Sequence, residues 1–189
     1  MIKGGGKQKG SAFERRICKE LSLWASGRTR DDLFWRSAMS GGAATLRMRK
    51  GSVKGGGSPG DISPIGTEGE FLTNTFIIEL KAYKNIHLES LFYDTPKNGF
   101  QEFWVKLLKE CKDHGKLPLL IFKENGKDIL VSTNREGLVA LKKMLSPMTF
   151  DPIHLAEMYP TWSDIIYILN FDFVFRSFND RPTICNRSV

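Results

Sequence analysis

The run Phe76-Ile77-Ile78-Glu79-Leu80-Lys81 constrains this chain most, because an apolar stretch of that length, rich in β-branched residues, reads as a buried β-strand. Side chains alternate faces along a strand, so Glu79 and Lys81 project to one side while Ile78 and Leu80 point to the other. The strand therefore ends by presenting a carboxylate and an ammonium together. A carboxylate so placed can hold a hard divalent cation through oxygen, and the lysine beside it can orient a water or steady charge building on a phosphate. A Glu-x-Lys pair at a strand end is also common surface chemistry, contributing about 0–1 kcal/mol and no function. The chemical reading needs an acidic partner, and Asp61 lies upstream in Gly60-Asp61-Ile62-Ser63.

At 189 residues the chain can bury one core, or one core with a small appendage. Its 28 Lys and Arg against 21 Asp and Glu give a formal charge of +7, which favours a polyanionic partner, nucleic acid before acidic lipid. No apolar run approaches the roughly 20 residues of a membrane span, and the N-terminus is Gly/Lys-rich instead of carrying an apolar signal core. No membrane partner and a cytoplasmic location are expected. Cys18, Cys111 and Cys185 are too scattered for a disulfide framework, and His87, His114 and His154 give no zinc spacing.

Residues 1–10 read as a flexible basic tail. Ser11-Ala12-Phe13-Glu14 fits a capping box, so a helix is expected from Ser11, with Phe13, Ile17, Leu21 and Trp24 inward and Gly27 ending it. Leu33 to Ala38 reads as a first strand. The stretch 40–60 is dominated by Gly, Ser and basic residues, among them Arg47, Arg49, Lys50 and Lys54. Too polar to bury itself, it reads either as a basic loop that wraps a phosphate chain or as an inert insertion. Asp61 to Ile65 reads as a second strand, with 66–69 as a turn, which puts Asp61 and Glu79 on adjacent strands. A short helix is expected over Asn85–Phe92, then a strong amphipathic helix carrying Phe100, Phe103, Trp104, Leu107, Leu108 and Cys111 and ended by Gly115. Asn125-Gly126 marks a hairpin between Leu117–Lys123 and Asp128–Ser132. Thr133 or Asn134 caps a further helix that Pro147 breaks. Beyond it, Thr161–Leu169 reads as helix, and Phe171, Phe173 and Phe175 alternate like a strand. The domain layout is thus a tail (1–10), a core (11–146) and a C-terminal extension (147–189).

Four pieces in this order, Lys9-Gly10-Ser11-Ala12-Phe13-Glu14-Arg15, Phe34-Trp35-Arg36-Ser37, Gly60-Asp61-Ile62 and Ile78-Glu79-Leu80-Lys81, resemble the PD-(D/E)XK nuclease superfamily. Within it, the chain is similar to archaeal-type Holliday junction resolvases and related phage-encoded proteins, over roughly residues 9–132. The resemblance implies an α/β fold of restriction-endonuclease type, a central mixed sheet flanked by helices in the order αβββαβ. It implies Mg²⁺, with Mn²⁺ as a substitute, held by Asp61, Glu79 and the Leu80 carbonyl with Glu14 completing the acidic set. Lys81 would orient the attacking water or stabilise transition-state charge, and Gln101 matches a polar helix position after the Glu-x-Lys motif. Arg15, Arg36 and Ser37 are implied phosphate contacts. For Glu14 the capping-box reading stands beside the catalytic one. Gly60 replaces the proline of the motif, and the long loop before Asp61 departs from a strict resolvase.

These implications make the chain a metal-dependent DNA endonuclease selective for branched DNA, working as a homodimer without a nucleotide cofactor in a bacterial, prophage or phage-infected cell. The alternatives are a catalytically inactive DNA-binding protein of the same fold, or a nuclease for linear or single-stranded DNA. An RNA-binding or structural protein would account for the charge but not for the order of the motifs.

Overall fold

The computed structural model describes residues 5–37, 59–88, 99–145, 155–158 and 165–176. Arg47, Arg49, Lys50 and Lys54 lie outside the described residues, as do Cys185 and residues 89–92 of the helix expected over Asn85–Phe92, whose described residues 85–87 are not helical. The chain divides into two compact units, 1–73 with 175–189, and 74–174.

In the first unit, helix α1 (Gly5–Ala25) buries Phe13, Ile17, Leu21 and Trp24, the stripe that its spacing predicts. Strand β1 (Phe34–Arg36) pairs antiparallel with β2 (Ile62–Pro64), in the register Trp35↔Ser63. Ser22 fastens α1 to β1, its hydroxyl donating to the Cys18 carbonyl at 2.7 Å and accepting the Phe34 N–H at 3.0 Å. A short 3₁₀ turn (Thr67–Gly69) leads into helix α2 (Glu70–Thr75), which the sequence reading passed over because six residues carry too little periodicity. Late in the chain, Phe175 meets the Trp24 ring edge-on at 5.0 Å and Arg176 forms two hydrogen bonds with the Glu20 carboxylate.

Two expectations are corrected here. The first helix starts at Gly5 and not at Ser11, so Ser11 caps nothing; its hydroxyl accepts from Arg15 and Arg36 instead. Strand β2 pairs with β1, so Asp61 and Glu79 do not sit on paired strands.

The second unit is built on a five-stranded mixed sheet in the order β3-β4-β5-β7-β6. Strand β3 (Phe76–Tyr83) lies at one edge and pairs in parallel with β4 (Leu117–Glu124); the other pairings are antiparallel. A parallel pair needs a crossover, and helix α3 (Phe100–His114) supplies it, ending where Gly115 takes the left-handed conformation at φ 62°. The hairpin to β5 (Ile129–Thr133) turns at Gly126, φ 76°. Asn134 caps helix α4 (Arg135–Met144), its side chain accepting the Gly137 N–H at 2.9 Å. Strands β6 (Leu155–Met158) and β7 (Ile166–Asn170) complete the sheet. On one sheet face Ile77, Leu120, Phe122, Ile166 and Ile168 form a core with Phe100, Trp104, Leu107 and Cys111 of α3. Their alternates Ile78, Leu80, Leu119, Ile121 and Val131 are buried too, as a sheet covered on both faces requires.

Residues 166–175 reverse the sequence expectation: Ile166–Asn170 is strand, and Phe171–Phe175 is a short helix, α5, while residues 161–164 of the expected helix lie outside the described residues. A strand buried on both faces shows no alternation, so its apolar run mimics a buried helix. Phe171, Val174 and Phe175 are buried at helical spacing, and the Asn170 side chain accepts the N–H groups of Asp172 and Phe173, which starts the turn.

Gly137 is a point where the packing leaves no room. A Cβ there would stand 1.9 Å from Thr133 Oγ1, whose hydroxyl donates to the Pro118 carbonyl at 2.7 Å. Gly137→Ala is expected to cost about 1–3 kcal/mol in urea unfolding, although alanine is the better helix former, because Thr133 must give up that bond. Unchanged stability would show that α4 shifts freely.

Taken by its own elements, the second unit is a mixed sheet with α3 against β3 and β4 and α4 against β4, β5 and β7. The α/β architecture is that of a restriction-endonuclease-like core.

Candidate active site

In the first unit the functional side chains gather where α1 meets the β1–β2 ladder. Glu14, on α1, takes the Arg36 guanidinium as its partner, and both side chains are largely buried, at 16% and 13% exposure. Arg36 also donates to Ser11 Oγ at 2.8 Å, and Arg15 donates to the same oxygen at 2.6 Å. Arg36 is thus a structural partner of the very carboxylate that the motif singles out. Ser37 extends the ladder: its N–H donates to the Asp61 carbonyl at 2.8 Å and its hydroxyl to the Gly60 carbonyl at 2.7 Å. Ser37 is buried, so in this conformation it orders the backbone that carries Asp61 and presents no surface to a phosphate. Arg15 remains exposed.

Cys18, one helical turn past Glu14, registers the surrounding charge. Burial pushes its thiol up to about 12; the Glu14 carboxylate pushes the same way, the Arg36 guanidinium pulls it back, and the Asp61 carboxylate raises it again. Asp61 and Glu14 therefore act on one buried sulfur, an association of α1 with the start of β2 that sequence separation hides.

In the second unit Glu79 and Lys81 share one face of edge strand β3, as the alternation requires, and the Lys81 ammonium donates to the Glu79 carboxylate. Their side chains are 14% and 18% exposed, so the pair is sheltered yet reachable. Lys81 Nζ also lies 5.6 Å from the centroid of Phe103 on α3. Gln101, the second residue of α3, is buried, and its Oε1 has no hydrogen-bond partner among the described residues. An orphaned buried acceptor is costly and marks a place where a further donor or a cation belongs.

Carboxylate and amide oxygens are the donors that a hard divalent cation takes, so Glu79 and Gln101 in one unit, and Asp61 and Glu14 in the other, have the right chemistry. In this conformation Glu79 is held by Lys81 and Glu14 by Arg36. Among the described residues no group of three or more His, Cys, Asp or Glu side chains stands placed to hold a metal ion. The sequence reading missed Tyr83, although it continues the alternation Glu79, Lys81, Tyr83, and it counted Phe103 only as core.

The family described as phage putative PDDEXK endonuclease matches residues 5–180. No curated protein and no solved structure matches the chain. A match over nearly the whole chain, carrying the Glu79-x-Lys81 pair on a strand of a mixed sheet, places the protein in the phage PD-(D/E)XK endonuclease family.

Proposed function

We propose that this endonuclease hydrolyses DNA phosphodiesters with a divalent cation, Mg²⁺ in the cell and Mn²⁺ as a substitute, and that it selects branched DNA. The observation that carries the reading is the sheltered Glu79–Lys81 pair on β3 in a chain of this family. Asp61, Glu79 and the Leu80 carbonyl are assigned to the cation, with Glu14 and Gln101 completing its surroundings directly or through water. When bound, the cation would neutralise the phosphate and lower the pKa of the attacking water. Lys81 stabilises the charge that develops on the phosphate and orients the water, a task for an ammonium released from Glu79. Arg15, together with Arg47, Arg49, Lys50 and Lys54, is assigned to the DNA backbone, and Arg36 and Ser37 to holding Glu14 and the Asp61 backbone in place. Two sites making symmetric cuts would require a two-fold homodimer. The place of action is the cytoplasm of a phage-infected or prophage-bearing bacterium.

Purified protein given a four-way junction and a linear duplex of equal length tests this directly. Cleavage with Mg²⁺ that stops in EDTA, and tighter binding of the junction at one stated salt concentration, are expected. Equal affinity for both would remove the branch selectivity, and no metal-dependent cleavage of junction, duplex, flap or single-stranded DNA would remove the hydrolase. One observation favours a second reading, a DNA-binding protein of this fold without turnover: Glu14 and Glu79 each already have a side-chain cation as partner.

A further inference from the structure

Beside Lys81 stand two rings that the hydrolysis does not use. Tyr83 ends β3 on the face that carries Glu79 and Lys81, and the strand rise puts it about 7 Å beyond Lys81. Its ring stacks on Phe103 of α3, with centroids 5.1 Å apart and planes inclined by 24°. Phe103 is partly buried, and the Lys81 ammonium also lies over its ring, 5.6 Å from the centroid. Tyr83 itself is 48% exposed, among the most open large apolar side chains of the described residues. One ring is therefore fixed from behind and offers its remaining surface to solvent. Ammonium groups are at hand, since exposed Lys84 follows Tyr83 and exposed Lys106 stands one helical turn past Phe103, while Glu124, the register partner of Tyr83 on β4, is paired with Lys127.

A rigid ring open on one side and set among ammonium groups has the two features by which proteins hold single strands, a stacking surface for the base and positive charge for the phosphates. We propose that Tyr83, braced by Phe103, is a ledge on which an unpaired nucleobase stacks, next to the phosphate that Lys81 serves. A base inside a duplex has both faces covered by its neighbours, so only an unstacked base fits. The ledge thus reads unpaired nucleotides at a branch, gap or tail. The position of the phosphate rests on the function proposed above; the stacking is a statement about binding alone.

Binding measured in EDTA keeps the two apart. Fluorescence anisotropy of the full chain is followed with three labelled DNA probes, namely a single strand, a duplex with a single-stranded tail, and a blunt duplex. Tyr83→Ala is expected to weaken the first two by about 5- to 150-fold, the range for losing one stacked base, and the blunt duplex by no more than about twofold. Tyr83→Trp and Tyr83→Phe should keep wild-type preference, since the ring and not the hydroxyl does the stacking. A 2-aminopurine placed in the single-stranded tail should lose fluorescence on binding the wild-type protein, a readout that needs no variant. Equal weakening on all three probes, no weakening, an unquenched 2-aminopurine, or a change in oligomeric state with DNA preference intact would each overturn the ledge. A wild-type protein that binds in this pattern but never cleaves would overturn only the hydrolase.

Discussion

Lys81→Ala is expected to lower DNA cleavage by about 10²- to 10³-fold, the loss typical of removing one group that acts on transition-state charge. DNA affinity in EDTA should meanwhile change by no more than about threefold, because one ammonium among 28 Lys and Arg residues adds little to a phosphate-driven interaction. Single-turnover cleavage and anisotropy on the same preparation separate the two quantities. The geometry adds a complication: Lys81 is the ammonium partner of Glu79, whose side chain is only 14% exposed, so its removal leaves a sheltered carboxylate without that ion pair. Melting must therefore be recorded alongside, and Lys81→Gln, which keeps a donor but no charge, should melt closer to wild type while cleaving as poorly as the alanine variant. Cleavage that survives both substitutions would falsify the assignment of the active site to β3.

The second large effect is on stability. Arg36→Ala is expected to destabilise the protein by about 3–5 kcal/mol, measured by urea unfolding, because it strands the Glu14 carboxylate in a nearly closed setting. Ser11 loses the 2.8 Å bond from Arg36 at the same time. The combined Glu14→Leu and Arg36→Met variant should recover most of that loss, since two apolar side chains of similar size leave no charge unpaired. A cost below about 1 kcal/mol for Arg36→Ala would mean that the pair behaves as a surface ion pair, and that Glu14 is free to serve a cation without structural consequence. The expected result instead makes Arg36 the internal counter-ion that holds Glu14 in place.

Much of the fold was legible because its signals are local. The Asn125-Gly126 hairpin, the Gly115 stop and the Asn134 cap each rest on a backbone preference of one or two residues, and all are found where the residues put them. The stripe Phe100, Trp104, Leu107 and Cys111 reads as one helix face because a period of 3.6 survives any tertiary context. The pairing of Glu79 with Lys81 is likewise a consequence of strand geometry at i and i+2.

What remained hidden depends on partners distant in the chain. Whether β2 pairs with β1 or β3 is a choice between ladders with similar local propensity, and no single strand carries the answer. Ser11 looked like a cap because its hydroxyl suits one, but two arginines claim that oxygen, one of them from β1. Ile166–Asn170 and Phe171–Phe175 exchanged their expected forms because burial on both faces erases the alternation by which a strand is recognised, leaving the sheet partner to set the backbone. The binding of Glu14 to Arg36 and the bracing of Tyr83 by Phe103 are of the same kind: each residue is visible in the sequence, but its neighbour is brought there only when the chain has folded.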